Sequence, residues 1–140
     1  MISEVPLRTA VVKLSAGRWV GLAAALSDAH AAGKPILGIC IGCQVVFSSS
    51  EEDGGTGCLG LLEGEAVRFR FPEGIQRKVP HMGWNEVNFT AAHPVLEGVA
   101  PGSQFYFVHS YHVEPADPGV SLGTATYGGI DFTAAVAKDN

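Results

Sequence analysis

Residues 34 to 44 read KPILGICIGCQ, an apolar run that ends on a cysteine between two glycines, with Gln44 four positions further along. Ile36, Leu37, Gly38 and Ile39 carry no charge and follow a Gly33, Lys34, Pro35 break, which suits a buried strand of a parallel sheet with a helix after it. Cys40 then falls on the sharp strand-to-helix turn that presents a nucleophile at the carboxyl edge of an α/β sheet. Close backbone approach there calls for Gly38 and Gly42 to lack side chains. A thiol at a helix start meets the positive end of the helix dipole, which favours thiolate, and free amides of Ile41 and Gly42 are donors for an oxyanion.

The chain has 140 residues, 46% of them hydrophobic, enough for one domain with a core of its own and short for two. A net charge of −5 without long acidic or basic blocks argues against nucleic acid or a membrane surface as the main partner. The longest uncharged apolar stretch, Trp19 to Leu26, is far below a membrane span. Met1 to Gly17 carries Glu4 and Lys13 where a signal peptide needs an unbroken apolar core, so a cytoplasmic location is expected. Three cysteines are too few for a secreted disulfide framework and point to reduced thiols, Cys58 among them as an ordinary half-buried one.

Trp19, Leu22, Ala23, Leu26, Ala29 and His30 recur at helical spacing before Gly33, predicting a helix from about Arg18 to Ala32. Helix, strand, turn and helix in that order indicate an α/β fold with a parallel sheet. The second half is β-rich. Val67, Phe69 and Phe71 alternate with Arg68 and Arg70, QFYFVHSYHV at 104 to 113 predicts another strand, and SLGTAT with DFTAAVA predicts a hairpin turning through Tyr127, Gly128 and Gly129.

Cys40 and Cys43 form a CxxC, which in a cytosolic chain also fits a redox pair, or two small core residues. Redox pairs have no special need for Gly38 or Gln44, whereas an amide-handling site uses both. Gly55, Gly57 and Gly60 spell GxGxxG but follow SSSEED instead of a strand, so they predict a surface loop. His109 and His112 lie three apart on a predicted strand and so on opposite faces, and no HExxH is present; no metal or cofactor is expected. Arg68, Arg70, Arg77 and Lys78 suit a solvated face, or, beside Pro80, Met82 and Trp84, the border of a protein contact.

The pattern GxCxGxQ, filled by Gly38, Cys40, Gly42 and Gln44, resembles the nucleophile turn of class I glutamine amidotransferases. PHMGWN at 80 to 85 and FYFVHSYH at 105 to 112 narrow the resemblance to the glutaminase subunit of imidazole glycerol phosphate synthase, over about Trp19 to Asn140. It implies a flavodoxin-like three-layer domain with helices on both faces of the sheet, and a glutaminase serving histidine biosynthesis. Cys40 would attack the side-chain amide of glutamine, with the Ile41 amide as oxyanion donor. Gly42 and Gln44, with backbone groups of His109, Ser110 and Tyr111, would hold the substrate. His81, Met82, Gly83, Trp84 and Asn85 would face a cyclase subunit, a (β/α)₈ barrel that receives the ammonia in a heterodimer. The resemblance implies no cofactor.

In that family a histidine and a glutamate follow a strand like Asp131 to Ala137, and a glycine-rich loop near the start supplies a second oxyanion donor. Nothing matching either is found here, so residues 1 to 140 are expected to be one partial glutamine amidotransferase type 1 domain, incomplete at both ends. Cys43 stands where the family commonly has methionine. A non-catalytic pseudoglutaminase that docks a synthase through PHMGWN is the binding alternative. The expected outcome is little or no glutamate release from glutamine by the purified chain. Release that is abolished by Cys40→Ala contradicts it.

Overall fold

The computed structural model describes residues 20–138. In chain order these form helices α1 (Val20–Ala31) and α2 (Ile41–Val45), then strands β1 (Ser49–Ser50), β2 (Thr56–Gly57), β3 (Gly64–Arg68), β4 (His81–Glu86), β5 (Asn88–Phe89), β6 (Gln104–His109), β7 (Tyr111–Pro115), β8 (Ser121–Tyr127) and β9 (Ile130–Val136). The start of the predicted first helix, Arg18 and Trp19, and the Met1 to Gly17 segment lie outside the described residues. Leu22, Ala23, Leu26 and Ala29 form the half-buried stripe of α1. Gly33, at φ +68°, closes the helix, its N–H donating to the His30 carbonyl.

The strand expected at Ile36 to Ile39 does not form. A strand is defined by its ladder partners, and no described segment pairs with this one; Leu37 and Ile39 stand 54% and 70% exposed. The architecture is α/β with a large mixed sheet, in the order β2-β1-β3-β7-β9-β8-β5. Among the described strands only the β1–β3 pair is parallel. β4 and β6 form a separate antiparallel ribbon, with His81 opposite His109 and Trp84 opposite Tyr106.

Alternation along β3 and β7 divides the core. Ala66 and Val113 join Phe47 in one cluster, against which Cys43, Val46 and Leu62 pack; this is the side that receives α2. One residue along, Val67 pairs with His112, and Phe69 joins Ala125 and Phe132 in a second, aromatic cluster on the other face. Phe107 of the ribbon packs into this second cluster. The β8–β9 hairpin turns where expected: Gly128 and Gly129, at φ +61° and +80°, supply the two positive φ values of a type I′ turn.

The predicted strand 104 to 113 is two strands in two sheets, broken at Ser110. That break corrects the expectation for the histidines. Three residues apart on a continuous strand they would face opposite ways, but the corner rotates the chain. The His109 and His112 rings both lie against Phe69, at centroid distances of 5.1 and 4.6 Å, and both against Phe132.

Burial holds His81, His109 and His112 below the usual histidine value of 6.5. The neighbouring His109 adds to the effect on His81, the Tyr111 carbonyl opposes it at His109, and Glu114 and Glu51 oppose it at His112. Because the folded values lie below the unfolded ones, the unfolded chain binds more protons between them, and stability falls as the pH drops from about 6.5. The expected result is a urea midpoint that is level near neutrality and declines from about pH 6.5 downward, with a shallower decline in His112→Phe. A midpoint insensitive to pH down to about 5, the upper edge of the carboxylate range, contradicts this assignment.

Candidate active site

Cys40 sits immediately before α2 with φ +57° and ψ −117°, and it is exposed. A non-glycine residue in this region is strained by about 1–3 kcal/mol and is characteristic of nucleophile turns. The turn holds itself by backbone bonds: Gly42 N–H donates to Ile39 O at 3.0 Å, and Cys43 N–H donates to Cys40 O at 2.9 Å. The first of these corrects the expectation for Gly42, since its amide is already engaged. The Ile41 N–H has no acceptor among the described residues, and it remains the donor available beside the thiol.

The two glycines differ in kind. A Cβ on Gly38 would meet the Gly42 carbonyl oxygen at 2.5 Å and its carbon at 2.6 Å, so the approach of residue 38 to the helix excludes any side chain. A Cβ on Gly42 would meet nothing within 4 Å, so the close approach constrains Gly38 alone.

Inside α2, Cys43 packs against the Phe47, Ala66, Val113 cluster. Burial, reinforced by Cys40, pushes its thiol up to about 11. A thiol so reluctant to ionise is a poor redox partner, and the CxxC reading loses its second member. Cys58 is half-buried, and burial raises its thiol as well. Gln44 is 9% exposed, and its Oε1 has no hydrogen-bond donor, one of two such orphaned side-chain atoms among the described residues. A buried acceptor without a donor calls for an explanation.

α2 lies against β1 and β7. Tyr111, two residues before Val113, shares the α2 side of the sheet, where the Arg68 guanidinium sits 5.8 Å from its ring centroid. Ser110 O accepts from Phe69 N–H, and Tyr111 O accepts from His109 Nδ1, so these carbonyls are engaged while the Ser110 N–H finds no backbone acceptor among the described residues. The imidazoles of His109 and His112 lie in the aromatic cluster on the far face from α2. Neither can serve as a base for Cys40 without crossing the sheet.

The strand period splits the PHMGWN segment. Met82 and Trp84 point outward, 61% and 69% exposed, beside Tyr106 and Val108 at 56% and 53%. His81 is buried at 3%, and Asn85 turns inward to donate from Nδ2 to the Thr126 carbonyl, so neither is an outward contact. Gly83 is set by its backbone: φ is +142° with open space where a Cβ would stand. Arg70 is not free for a protein contact, because it forks onto Glu51 at 2.9 and 3.0 Å while Glu51 also accepts from the Arg68 N–H. The Arg70 hydrogen bonds, then the Arg68 amide, hold the Glu51 carboxyl below its usual range. Nothing in the sequence pairs residues 51 and 70; only the β1–β3 register brings them together. Gly55, Gly57 and Gly60 lie in and around the β1–β2 hairpin without a following helix, as expected of a loop. Among the described residues no group of three His, Cys, Asp or Glu side chains is placed to hold a metal.

Residues 15–140 match the pattern of the family Glutamine amidotransferase class-I. The chain belongs to that family. Among curated relatives it is 48% identical over 120 residues to the imidazole glycerol phosphate synthase subunit HisH of Gloeothece citriformis, covering 85% of this chain and 56% of the relative. It is 50% identical over 115 residues to the HisH subunit of Methylococcus capsulatus, covering 77% and 52%. It is also 50% identical over 126 residues to that of Nitrosospira multiformis, covering 86% and 58%. The chain spans about half the length of these relatives.

For a class-I amidotransferase turn of this geometry, Gly38→Ala is expected to lower the unfolding free energy by about 1–3 kcal/mol, the usual size of forced overpacking. Gly42→Ala, within α2 and unobstructed, is expected to be neutral or to stabilise by up to about 1 kcal/mol. Urea unfolding of the two variants checks the contrast; equal losses contradict it.

Proposed function

We propose that the chain is the glutaminase part of an imidazole glycerol phosphate synthase, a cytoplasmic lyase assembly of histidine biosynthesis, and that residues 1 to 140 contribute one domain to it. The observation that carries this reading is the strained, exposed Cys40 ahead of α2 with the Ile41 N–H unengaged beside it. In this reaction Sγ attacks the side-chain carbonyl carbon of glutamine. A C–S bond forms, the carbonyl electron pair moves to oxygen, and the Ile41 N–H donates to that oxyanion. Collapse breaks the C–N bond, and the proton given up by the Cys40 thiol ends on the departing nitrogen, so that ammonia leaves. Water then cleaves the thioester, giving glutamate and the free thiol.

The orphaned Gln44 Oε1 is enclosed and on this reading turns toward the thiol to accept an N–H of the bound glutamine, while the unengaged Ser110 N–H, on the corner that carries Tyr111, is a donor suited to its head group. Gly42, in the first turn of α2 after the thiol, is placed by this reading on the substrate side. The outward row Met82, Trp84, Tyr106 and Val108 is an apolar stripe on a two-stranded ribbon, and a cyclase subunit built as a (β/α)₈ barrel is the proposed occupant, in a heterodimer.

The test is alkylation by a diazoketone analogue of glutamine, mapped by mass spectrometry. Labelling is expected at Cys40 alone, slowed by free glutamine, and lost in Cys40→Ala. Labelling spread over Cys43 and Cys58, or indifferent to glutamine, overturns the proposal.

A further inference from the structure

Two imidazoles join the ribbon to the main sheet through a hydrogen-bonded chain whose direction is fixed. His109 Nδ1 lies 2.9 Å from the Tyr111 carbonyl oxygen, and a carbonyl only accepts, so Nδ1 carries the proton. The Nε2 of the neutral ring is then an acceptor, and it lies 3.0 Å from His81 Nδ1, which must supply the second proton. The chain runs from β4 through β6 to β7: His81 Nδ1–H to His109 Nε2, then His109 Nδ1–H to Tyr111 O. Both rings are held in place by packing. His81 is stacked against Tyr127 at 4.0 Å and Phe107 at 5.0 Å, and His109 lies against Phe69 and Phe132.

The sheet register explains why Tyr111 needs this partner. Phe69 N–H donates to Ser110 O, so the neighbouring Arg68–Tyr111 pair falls at the position of an antiparallel ladder that exchanges no hydrogen bonds. Consistently, the Arg68 N–H turns away from β7 to the Glu51 carboxylate. The Tyr111 carbonyl likewise points away from β3, and His109 satisfies it in place of a strand. Ser110, the residue between them, is where the chain passes from ribbon to sheet.

We infer that His81 and His109 are positioning residues for glutamine: their directed hydrogen-bond chain sets the His109–Ser110–Tyr111 corner in the geometry that receives the substrate head group. This inference rests on the proposed glutamine site at that corner. Neither imidazole touches the substrate; His81 acts through His109, and His109 through the Tyr111 carbonyl. Because β4 also carries the outward Met82 and Trp84, the same chain ties the apolar docking stripe to the substrate corner.

The test compares the full chain with His81→Phe, which keeps a stacking ring and removes the donor, and with His81→Asn, whose amide nitrogen replaces Nδ1. Alkylation of Cys40 by the diazoketone glutamine analogue is expected to require about three- to tenfold more reagent for half-maximal rate in His81→Phe, the weight of one lost hydrogen bond. The limiting rate and alkylation by iodoacetamide, which has no head group to hold, are expected to stay unchanged, and His81→Asn is expected to restore the half-maximal concentration. Independently of glutamine, ¹⁵N NMR of the wild-type imidazoles is expected to show both rings protonated at Nδ1. A His109 ring protonated at Nε2 alone, or a folded His81→Phe chain that labels like wild type, overturns the inference. If His81→Phe fails to fold, the NMR tautomers and the labelling of His81→Asn decide it. Wild-type labelling that glutamine does not slow counts against the glutamine site itself, and the NMR result still tests the hydrogen-bond chain.

Discussion

The packing of the β4–β6 ribbon onto the sheet through Phe69 and Phe132 is the contact on which the rest of the arrangement depends. Phe69 is 3% exposed and meets His109, His112, Tyr127 and Phe132 within 6 Å, so β3, β7, the β8–β9 hairpin and the ribbon converge on one ring. Burying such a ring contributes roughly 1.5–3 kcal/mol, with about 0.5–1.5 more for a favourable aromatic pair. The histidines are drawn into this cluster and therefore away from α2. The sheet itself separates the exposed Cys40 thiol from the imidazoles nearest to it by motif.

On the opposite face the thiol depends on a different economy of contacts. Cys40 occupies a backbone conformation that a side chain resists, and α2 has only five residues with which to hold it there. Its anchors are Cys43, Val46 and Phe47 in the first cluster, together with the approach of Gly38 to the Gly42 carbonyl. One cysteine of the pair is thus structural and the other exposed. Their different surroundings, and not their spacing, separate them chemically. Ser110 marks the passage from ribbon to sheet: the Tyr111 carbonyl beside it is satisfied by His109, and its own N–H has no backbone acceptor among the described residues.

Much of this was legible in the sequence because it is local. The turn at Cys40, α1 and the Gly128–Gly129 hairpin each rest on residues adjacent in the chain, and the alternation of Val67, Phe69 and Phe71 with Arg68 and Arg70 holds in burial although the strand expected there ends at Arg68 and begins at Gly64. The failures have a common cause in long-range pairing. Ile36 to Ile39 reads as a strand by composition, but a strand needs a neighbour to bond. QFYFVHSYHV reads as one strand because no glycine or proline marks the corner at Ser110, which arises from β6 and β7 choosing different partners. The His81–His109 pair, 28 residues apart, becomes visible only when the ribbon register is known. Gly42 was assigned a steric role that belongs to Gly38 alone, since a spacing pattern does not say which glycine is crowded.

The most direct test of this account is a crystal structure of the chain soaked with glutamine, in a Cys40→Ala variant that prevents turnover. The account predicts glutamine with its side-chain amide carbon over residue 40, the carbonyl oxygen toward the Ile41 N–H, and the head group at the His109–Ser110–Tyr111 corner on the α2 side of the sheet. Glutamine bound on the aromatic face among His81, His109 and His112, or a turn at residues 38–42 occupied by no ligand while glutamine sits elsewhere, would contradict it.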